Sequence, residues 1–190
     1  MSHAPAAVFL DRDGTIIEDA HFIKSPSQVR LIPGAAEAIK RINDAGSLVI
    51  VVTNQSGIAR GLVTVKDYES VRAYYESLLN KHGARIDRSY YCPHHPDVDG
   101  PCKCRKPGTL LFEQAMKELS LDPARVAYVG DRWRDVAAAK RLGGRAVIVP
   151  SGMTTRDDNR MGKKDGARFE PTLGKAVDVL FGLTESKRPK

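Results

Sequence analysis

The sequence predicts an α/β protein with a parallel β-sheet that carries helices on both faces. Short apolar runs alternate along the chain with segments of helical period, which is typical of βαβ units. The run at residues 48–52 is apolar without alternation, as expected for a strand covered on both faces. Polar clusters follow several of these runs, at the place where open parallel sheets bind their ligands. Together these features predict a Rossmann-like sheet.

Each element is placed by its apolar period and by the residues that end it. The predicted strands are 6–10, 48–52, 89–91, 126–129 and 146–149. The predicted helices are 35–45, 65–82, 109–119, 134–142 and 173–180. Residues 151–170 are polar without a clear period, which predicts a long, variable surface loop. We expect one domain over residues 1–183 and a disordered tail at 184–190.

Length, composition and charge limit the classes of function. The 190 residues are 42% hydrophobic and 28% charged, which is typical of a globular domain. The net charge of +7 suits either nucleic acid or a phosphorylated small molecule. Because no helix shows a dense basic stripe with interleaved aromatics, we expect a phosphorylated substrate and no nucleic acid. No apolar stretch approaches the ~20 residues of a membrane span and residues 1–5 lack a signal-peptide pattern, so we expect a cytoplasmic protein without a membrane partner. Since no long apolar face is left over, we expect a monomer.

Two carboxylates lie one residue apart at the end of the first predicted strand. Asp11 and Asp13 are followed by Gly14 and Thr15, which indicates a tight turn. Carboxylates this close repel each other unless a cation or a shared proton lies between them. Mg²⁺ is the usual cation at such sites. The alternative is an ordinary solvated turn.

Further polar clusters follow the second and fourth predicted strands and precede the helix at 109–119. Because parallel strands end at one edge of a sheet, these clusters are predicted to meet at one site. The expected members are Asp11, Asp13, Thr53, Asn54, Lys106 and Asp131. Taken singly, Thr53 could be a helix cap, Lys106 a surface charge, and Asp135 an acidic residue in a first helical turn.

Three cysteines and one histidine have the spacing of a metal site. Cys92 and His94 are followed, after seven residues, by Cys102 and Cys104. Three thiolates and an imidazole form a closed tetrahedral set for structural Zn²⁺. The zinc loop, residues 92–104, would then position the residues that follow it. His95 is the rival ligand to His94, although the spacing favours His94, and free cysteines without metal are the alternative to the zinc site.

Four motifs in order resemble those of the haloacid dehalogenase superfamily. They are Asp11–Thr15 as DxDGT, Thr53, Lys106, and Asp131 with Asp135 as GDxxxD. The resemblance implies a haloacid-dehalogenase-like (HAD-like) fold, and residues 14–34 are too few for a separate cap domain.

The same resemblance assigns the chemistry. Asp11 would be the nucleophile that forms an aspartyl-phosphate, and Asp13 the general acid and base. Thr53 and Lys106 would stabilise the phosphoryl oxygens. Catalytic Mg²⁺ would be held by Asp11, Asp13 (through its carbonyl) and Asp131. Asp135 could hold the metal through water or orient a neighbour.

The zinc loop narrows the resemblance to two groups of phosphatases, which act on D-glycero-D-manno-heptose 1,7-bisphosphate and on histidinol phosphate. The segments Asn-Gln-Ser-Gly-Ile-Ala-Arg-Gly at 54–61 and Tyr-Tyr-Cys-Pro-His-His-Pro at 90–96 favour the heptose group. The implied substrate contacts are Arg12, Asp19, His21, Phe22, Asn54, Gln55, Ser56, Arg60, Arg105 and Arg132. Three of these, Arg60, Arg105 and Arg132, would bind the phosphate that is not cleaved.

The favoured function is Mg²⁺-dependent removal of the 7-phosphate, in a pathway to nucleotide-activated heptose for cell-surface glycans. The chain departs from the family in having Arg132 where Lys is frequent, and in Trp133, Arg134 and an unmatched insertion at 153–170. The alternatives are a histidinol-phosphate phosphatase, a nucleic acid 3′-phosphatase, and a zinc-stabilised interaction module without activity.

Overall fold

The structure is a computed structural model that describes residues 4–183, and its centre is a six-stranded parallel sheet. The predicted tail at 184–190 lies outside the described residues. The strands are β1 (Ala7–Leu10), β2 (Leu48–Asn54), β3 (Arg88–Cys92), β4 (Val126–Gly130), β5 (Arg145–Ile148) and β6 (Arg168–Phe169). Their order across the sheet is β3-β2-β1-β4-β5-β6, and every neighbouring pair is parallel. The predicted α/β class is confirmed.

Helices connect the strands. They are α1 (Ala35–Asp44), α2 (Val65–Lys81), α3 (Pro96–Asp99), α4 (Leu110–Glu118), α5 (Trp133–Val136), α6 (Ala138–Leu142), α7 (Arg156–Lys164) and α8 (Leu173–Phe181). Between β1 and α1, a stretch that the structure describes throughout, the only helical segment is the short 3₁₀ turn Pro26–Gln28, so no cap domain is inserted there. Within residues 4–183, no helix has both the length and the apolarity that crossing a bilayer requires.

Alternate residues of the central strands supply a separate core on each face of the sheet. Val8 and Leu10 of β1 belong to the core that also contains α1 and α8 residues. Phe9 belongs to the opposite core, where its ring stacks on Tyr128 and meets Phe112 edge-on, with centroids 5.3 Å apart in both pairs. Because both faces are covered, β1 and residues 48–52 of β2 are apolar on both sides, which explains the lack of alternation in the sequence.

The prediction of a surface loop at 151–170 is wrong. It contains α7 and β6, which extends the sheet by one parallel strand on β5. The helix begins with a capping box between Thr155 and Asp158, but charged residues dominate it and only Asp158 and Gly162 are buried. Met161 is the only large apolar residue of α7, so the helix has no stripe of apolar residues for the sequence to reveal, and a two-residue strand is too short to show a pattern. The predicted helix at 134–142 is also divided, into α5 and α6.

Two glycines allow the strand ends to approach one another. Gly14 has φ +80°, and a Cβ there would lie 2.6 Å from Asp131 Oδ2. A Cβ at Gly130 would lie 2.3 Å from Asp135 Cβ. Glycine at these positions therefore lets the carboxylates after β1 and β4 pack together, since any side chain would displace them.

Candidate active site

The carboxyl edge of the sheet holds a cavity lined by the ends of β1, β2 and β4 and by the segment after the zinc loop. The structure brings together all six residues predicted to meet there, and it adds Asp135. Eight of the ten predicted substrate contacts line the cavity, namely Arg12, Asp19, His21, Phe22, Asn54, Gln55, Ser56 and Arg132.

Lys106 is the buried centre of this site. Its Nζ lies 2.6 Å from Asp11 Oδ1 and 2.8 Å from Asp135 Oδ1, and it donates to the Val52 carbonyl at 2.6 Å. The side chain is 1% exposed. Burial by itself would lower the pKa of Lys106, but Asp11 and Asp135 outweigh burial and raise it, so the ammonium is charged. A surface position for Lys106 is therefore excluded.

The carboxylates are arranged to hold a cation. Oxygens of Asp11, Asp131 and Asp135 lie within 4.8 Å of one another. Burial raises the pKa of Asp11 to about 7, against the opposing effect of Lys106 and with help from the neighbouring carboxylates. Burial and then Asp135 raise the pKa of Asp131 to about 6. Three buried carboxylates facing one ammonium leave excess negative charge, and oxygen donors of this kind fit a hard divalent cation.

Both carboxylate oxygens of Asp135 contact neighbouring donors. Its Oδ1 pairs with Lys106, and its Oδ2 accepts from the Arg132 amide at 2.9 Å. As the third residue of α5 it also fits the alternative of an acidic residue in a first helical turn. Its contacts match the orienting alternative that the sequence left open, because it fixes the ammonium that in turn contacts Asp11.

The raised carboxylate pKa values predict how stability depends on pH and Mg²⁺. An unfolded Asp loses its proton near pH 3.8, whereas Asp11 and Asp131 keep theirs to about 7 and about 6. Without Mg²⁺, the free energy of unfolding should therefore fall as pH rises from about 4 to about 7. Mg²⁺ binds the ionised forms, so it should raise Tm more at about pH 8 than at about pH 5. Thermal unfolding of zinc-loaded protein tests this, and equal shifts at both pH values would contradict it.

Asp13 is held by a hydrogen-bonded network beside Asp11. Arg12 Nη2 lies 2.8 Å from both carboxylate oxygens, and Gln55 Nε2 donates to Oδ2 at 2.9 Å. Gln55 Nε2 also donates to Thr53 Oγ1 at 2.9 Å, which leaves the Thr53 hydroxyl proton for another acceptor. Arg12 is 2% exposed and its guanidinium lies 5.8 Å from the Tyr68 ring centroid. Arg12 thus orients Asp13 from a buried position in the cavity wall.

Two predicted substrate contacts lie at the zinc loop and not among the residues that line the cavity. Arg60 Nη2 is 2.6 Å from His95 Nε2, and Arg105 Nη1 donates to the His94 carbonyl at 3.3 Å. Both guanidiniums are therefore tied to the zinc loop.

Two residues that support Asp131 were missed by the sequence analysis. Ser151 Oγ donates to Asp131 Oδ2 at 2.5 Å, and Thr154 Oγ1 donates to the Asp131 carbonyl at 2.6 Å. Both lie just after β5, in the segment that was predicted to be a surface loop. Ser151 could have been identified from its position, because it is a polar residue just after the carboxyl end of a parallel strand.

The cysteine and histidine side chains converge as predicted. The three Sγ–Sγ distances are 3.0, 3.5 and 3.6 Å, and His94 Nδ1 lies 3.2 Å from Cys104 Sγ and 3.8 Å from Cys92 Sγ. Zn–S bonds of ~2.3 Å in a tetrahedron imply edges of ~3.8 Å, so a small expansion accommodates the ion. His95 is turned away, and its Nδ1 accepts from the Asp97 amide at 3.2 Å. The donor set therefore fits a closed metal site that contains His94.

Curated relatives cover most of the chain. The profile of the HAD-hydrolase-like family matches residues 103–176. A protein of Haemophilus ducreyi is 40% identical over 148 residues, which cover 75% of this chain and 81% of that protein. A protein of Pasteurella multocida is 36% identical over 182 residues, which cover 93% and 97%. Both are named D-glycero-beta-D-manno-heptose-1,7-bisphosphate 7-phosphatase.

A solved structure shares the complete fold. The D,D-heptose 1,7-bisphosphate phosphatase of B. bronchiseptica, complexed with magnesium and phosphate, superposes with a TM-score of 0.83 at 32% identity. The match covers 94% of this chain and 99% of that one. With its four motifs at one edge of a parallel sheet, the chain therefore belongs to the haloacid dehalogenase superfamily, in the family of D-glycero-D-manno-heptose-1,7-bisphosphate 7-phosphatases, and is a phosphoric monoester hydrolase.

Proposed function

We propose that the protein removes the 7-phosphate of D-glycero-D-manno-heptose 1,7-bisphosphate through an aspartyl-phosphate on Asp11. The observation that carries the mechanism is the contact of Asp11 with the buried ammonium of Lys106 beside Asp13. Lys106 favours the ionised, nucleophilic form of Asp11 against the burial that opposes it. The names of the relatives support this substrate.

The residues divide the reaction into two displacements. Asp11 attacks phosphorus, the bond from phosphorus to the sugar oxygen breaks, and Asp13 gives that oxygen a proton. Asp13 then removes a proton from water, which attacks phosphorus and releases phosphate from Asp11. Lys106 and the free hydroxyl proton of Thr53 stabilise the phosphoryl oxygens in both steps. Asp11, Asp131 and the Asp13 carbonyl would hold Mg²⁺, which would offset the negative charge of nucleophile and phosphate.

Three arginines suit the binding of a second phosphate. Arg132 lines the cavity and Arg60 and Arg105 contact the zinc loop, and these three are our candidates for binding the phosphate that remains. The ammonium of histidinol phosphate would meet these guanidiniums with like charge, which argues against that substrate. A cytoplasmic location and a monomeric state complete the proposal, together with a role in supplying heptose for cell-surface glycans.

A substrate panel tests the proposed function. Phosphate release with Mg²⁺ is compared for both anomers of the heptose bisphosphate, histidinol phosphate, fructose 1,6-bisphosphate and a 3′-phosphorylated oligonucleotide. We expect kcat/KM for one heptose anomer to exceed the others by about 100-fold or more, which is about 2.7 kcal/mol of transition-state preference. A preference for histidinol phosphate or the oligonucleotide would overturn the substrate and keep the phosphatase chemistry.

We also propose that the zinc loop binds one structural Zn²⁺ through Cys92, His94, Cys102 and Cys104. The predicted consequence is that Cys102→Ser abolishes zinc binding and lowers kcat/KM about 10-fold or more, because the loop leads directly into Arg105 and Lys106. The His95→Asn variant is the matched control, since His95 is the neighbouring ring outside the cluster. Metal analysis should give one zinc per chain for the wild type and for His95→Asn, and full zinc content in Cys102→Ser would contradict the site.

A further inference from the structure

The segment 151–170, predicted from the sequence to be a surface loop, makes a specific contact with the active site through Asp158. This side chain lies in the first turn of α7, and its carboxylate is 9% exposed. Its Oδ2 accepts from Arg132 Nε at 3.0 Å, and its Oδ1 accepts from the Trp133 amide at 3.1 Å. Arg132 lines the active-site cavity. An acid of α7 therefore fixes a cavity-lining cation at the start of α5.

Helix capping does not account for this contact. Asp158 forms a capping box with Thr155, and α2 begins with the equivalent box between Thr64 and Asp67. Both acids accept from the amide and the hydroxyl of their threonine. Asp158 accepts in addition from two donors of another element, one of which is the guanidinium of Arg132. The contacts of Asp158 with Arg132 and Trp133 are thus additional to its role in capping α7.

The geometry leaves Arg132 able to bind an anion. A guanidinium has five N–H donors in a rigid fork, and Asp158 uses the one on Nε. The two terminal nitrogens remain for a phosphate, which guanidinium binds with paired hydrogen bonds. Arg132 is 23% exposed, so its charged end has access to solvent and substrate. Fixing Nε beforehand removes side-chain freedom that substrate binding would otherwise have to restrict.

We propose that Asp158 is a positioning residue that orients Arg132 toward the phosphate that is not cleaved. The inference rests on the proposed function, because it assumes a substrate with two phosphates. The 151–170 segment would then take part in substrate selection through the ion pair of Asp158 with Arg132. Arg132 is the position at which the family frequently has lysine.

The test compares two substrates that differ by one phosphate, the heptose 1,7-bisphosphate and the heptose 7-phosphate. Asp158→Asn keeps the size of the side chain and one acceptor for α7 while removing the charge that fixes Arg132. For this variant we expect KM for the bisphosphate to rise about 10-fold with kcat within about twofold, and kcat/KM for the monophosphate to change less than about twofold. Asp67→Asn is the matched control, because it removes the same kind of capping acid from α2, and it should leave both substrates unchanged.

A variant cycle separates positioning from a fault in folding. Arg132→Ala should lose the preference for the bisphosphate, and adding Asp158→Asn to it should change that preference by less than about twofold. The role of Asp158 would be overturned if Asp158→Asn lowered kcat/KM equally for the bisphosphate and the monophosphate. It would also be overturned if adding Asp158→Asn to Arg132→Ala lowered kcat/KM for the bisphosphate by the full factor seen in the single variant. If the wild type hydrolyses the bisphosphate without preferring it to the monophosphate, this inference is wrong and the phosphatase chemistry stands. If the wild type hydrolyses neither compound, the proposed substrate itself is wrong and the inference falls with it.

Discussion

An Asp11→Asn variant is expected to lose at least about 10⁴-fold in kcat, since the amide cannot form the aspartyl-phosphate that divides the reaction into two steps. The fold should persist. The amide oxygen of the new side chain can still accept a hydrogen bond from Lys106, and the change removes a carboxylate from a crowded group in which burial already opposes ionisation. Steady-state phosphate release on the preferred substrate measures the loss, and thermal unfolding checks the fold.

The matched control is Asp44→Asn, which makes the same chemical change at an exposed position of α1, where Asp44 pairs with Lys40. Its kinetics should equal those of the wild type. A folded Asp11→Asn variant that kept a tenth or more of wild-type kcat would exclude Asp11 as the nucleophile, and the account of the site would need a different acceptor for the phosphoryl group.

Lys106→Met should damage both stability and activity. The substitution leaves Asp11 and Asp135 buried without their common counter-charge. Removing one partner of a buried ion pair costs about 3–5 kcal/mol of unfolding free energy, and losing one phosphoryl-stabilising donor costs about 10²–10³-fold in kcat. Urea unfolding without Mg²⁺ and steady-state kinetics with saturating Mg²⁺ measure the two effects separately.

Two further variants show whether this explanation of Lys106 is correct. Lys103→Met removes an exposed lysine from the zinc loop, three residues before Lys106. It should change neither the free energy of unfolding nor kcat appreciably. Adding Asp135→Asn to Lys106→Met should restore part of the lost stability, because it removes one of the two buried charges that have lost the ammonium, and should leave kcat low. A Lys106→Met protein as stable and as active as the wild type would show that the ammonium has neither function.

The sequence allowed the sheet and the convergence of the site to be predicted because both follow from strand ends. Asp11, Thr53 and Asp131 each end an apolar run, and parallel strands bring such ends to one edge. Lys106 was included because its polar cluster precedes the helix at 109–119, although no strand ends directly before it. Its long-range contacts with Asp11 and Asp135 depend on how the chain returns from the zinc loop.

The parts that were missed have physical reasons of their own. Helix α7 contains Met161 as its only large apolar residue, so no stripe of apolar residues marks it in the sequence. Arg12 was expected at the substrate, and its burial beside Asp13 and Gln55 depends on packing against Tyr68 of α2, a contact between distant parts of the chain. Its substrate role stays a prediction. The pairing of Asp158 with Arg132 depends on the same kind of distant contact.

The stereochemistry of phosphoryl transfer tests the central claim most directly. A substrate with an isotopically chiral phosphate is hydrolysed in isotopically labelled water, and the configuration of the released phosphate is determined. Two in-line displacements, first by Asp11 and then by water, each invert phosphorus, so the account predicts net retention. Net inversion would show a single direct attack by water and would contradict an aspartyl-phosphate on Asp11.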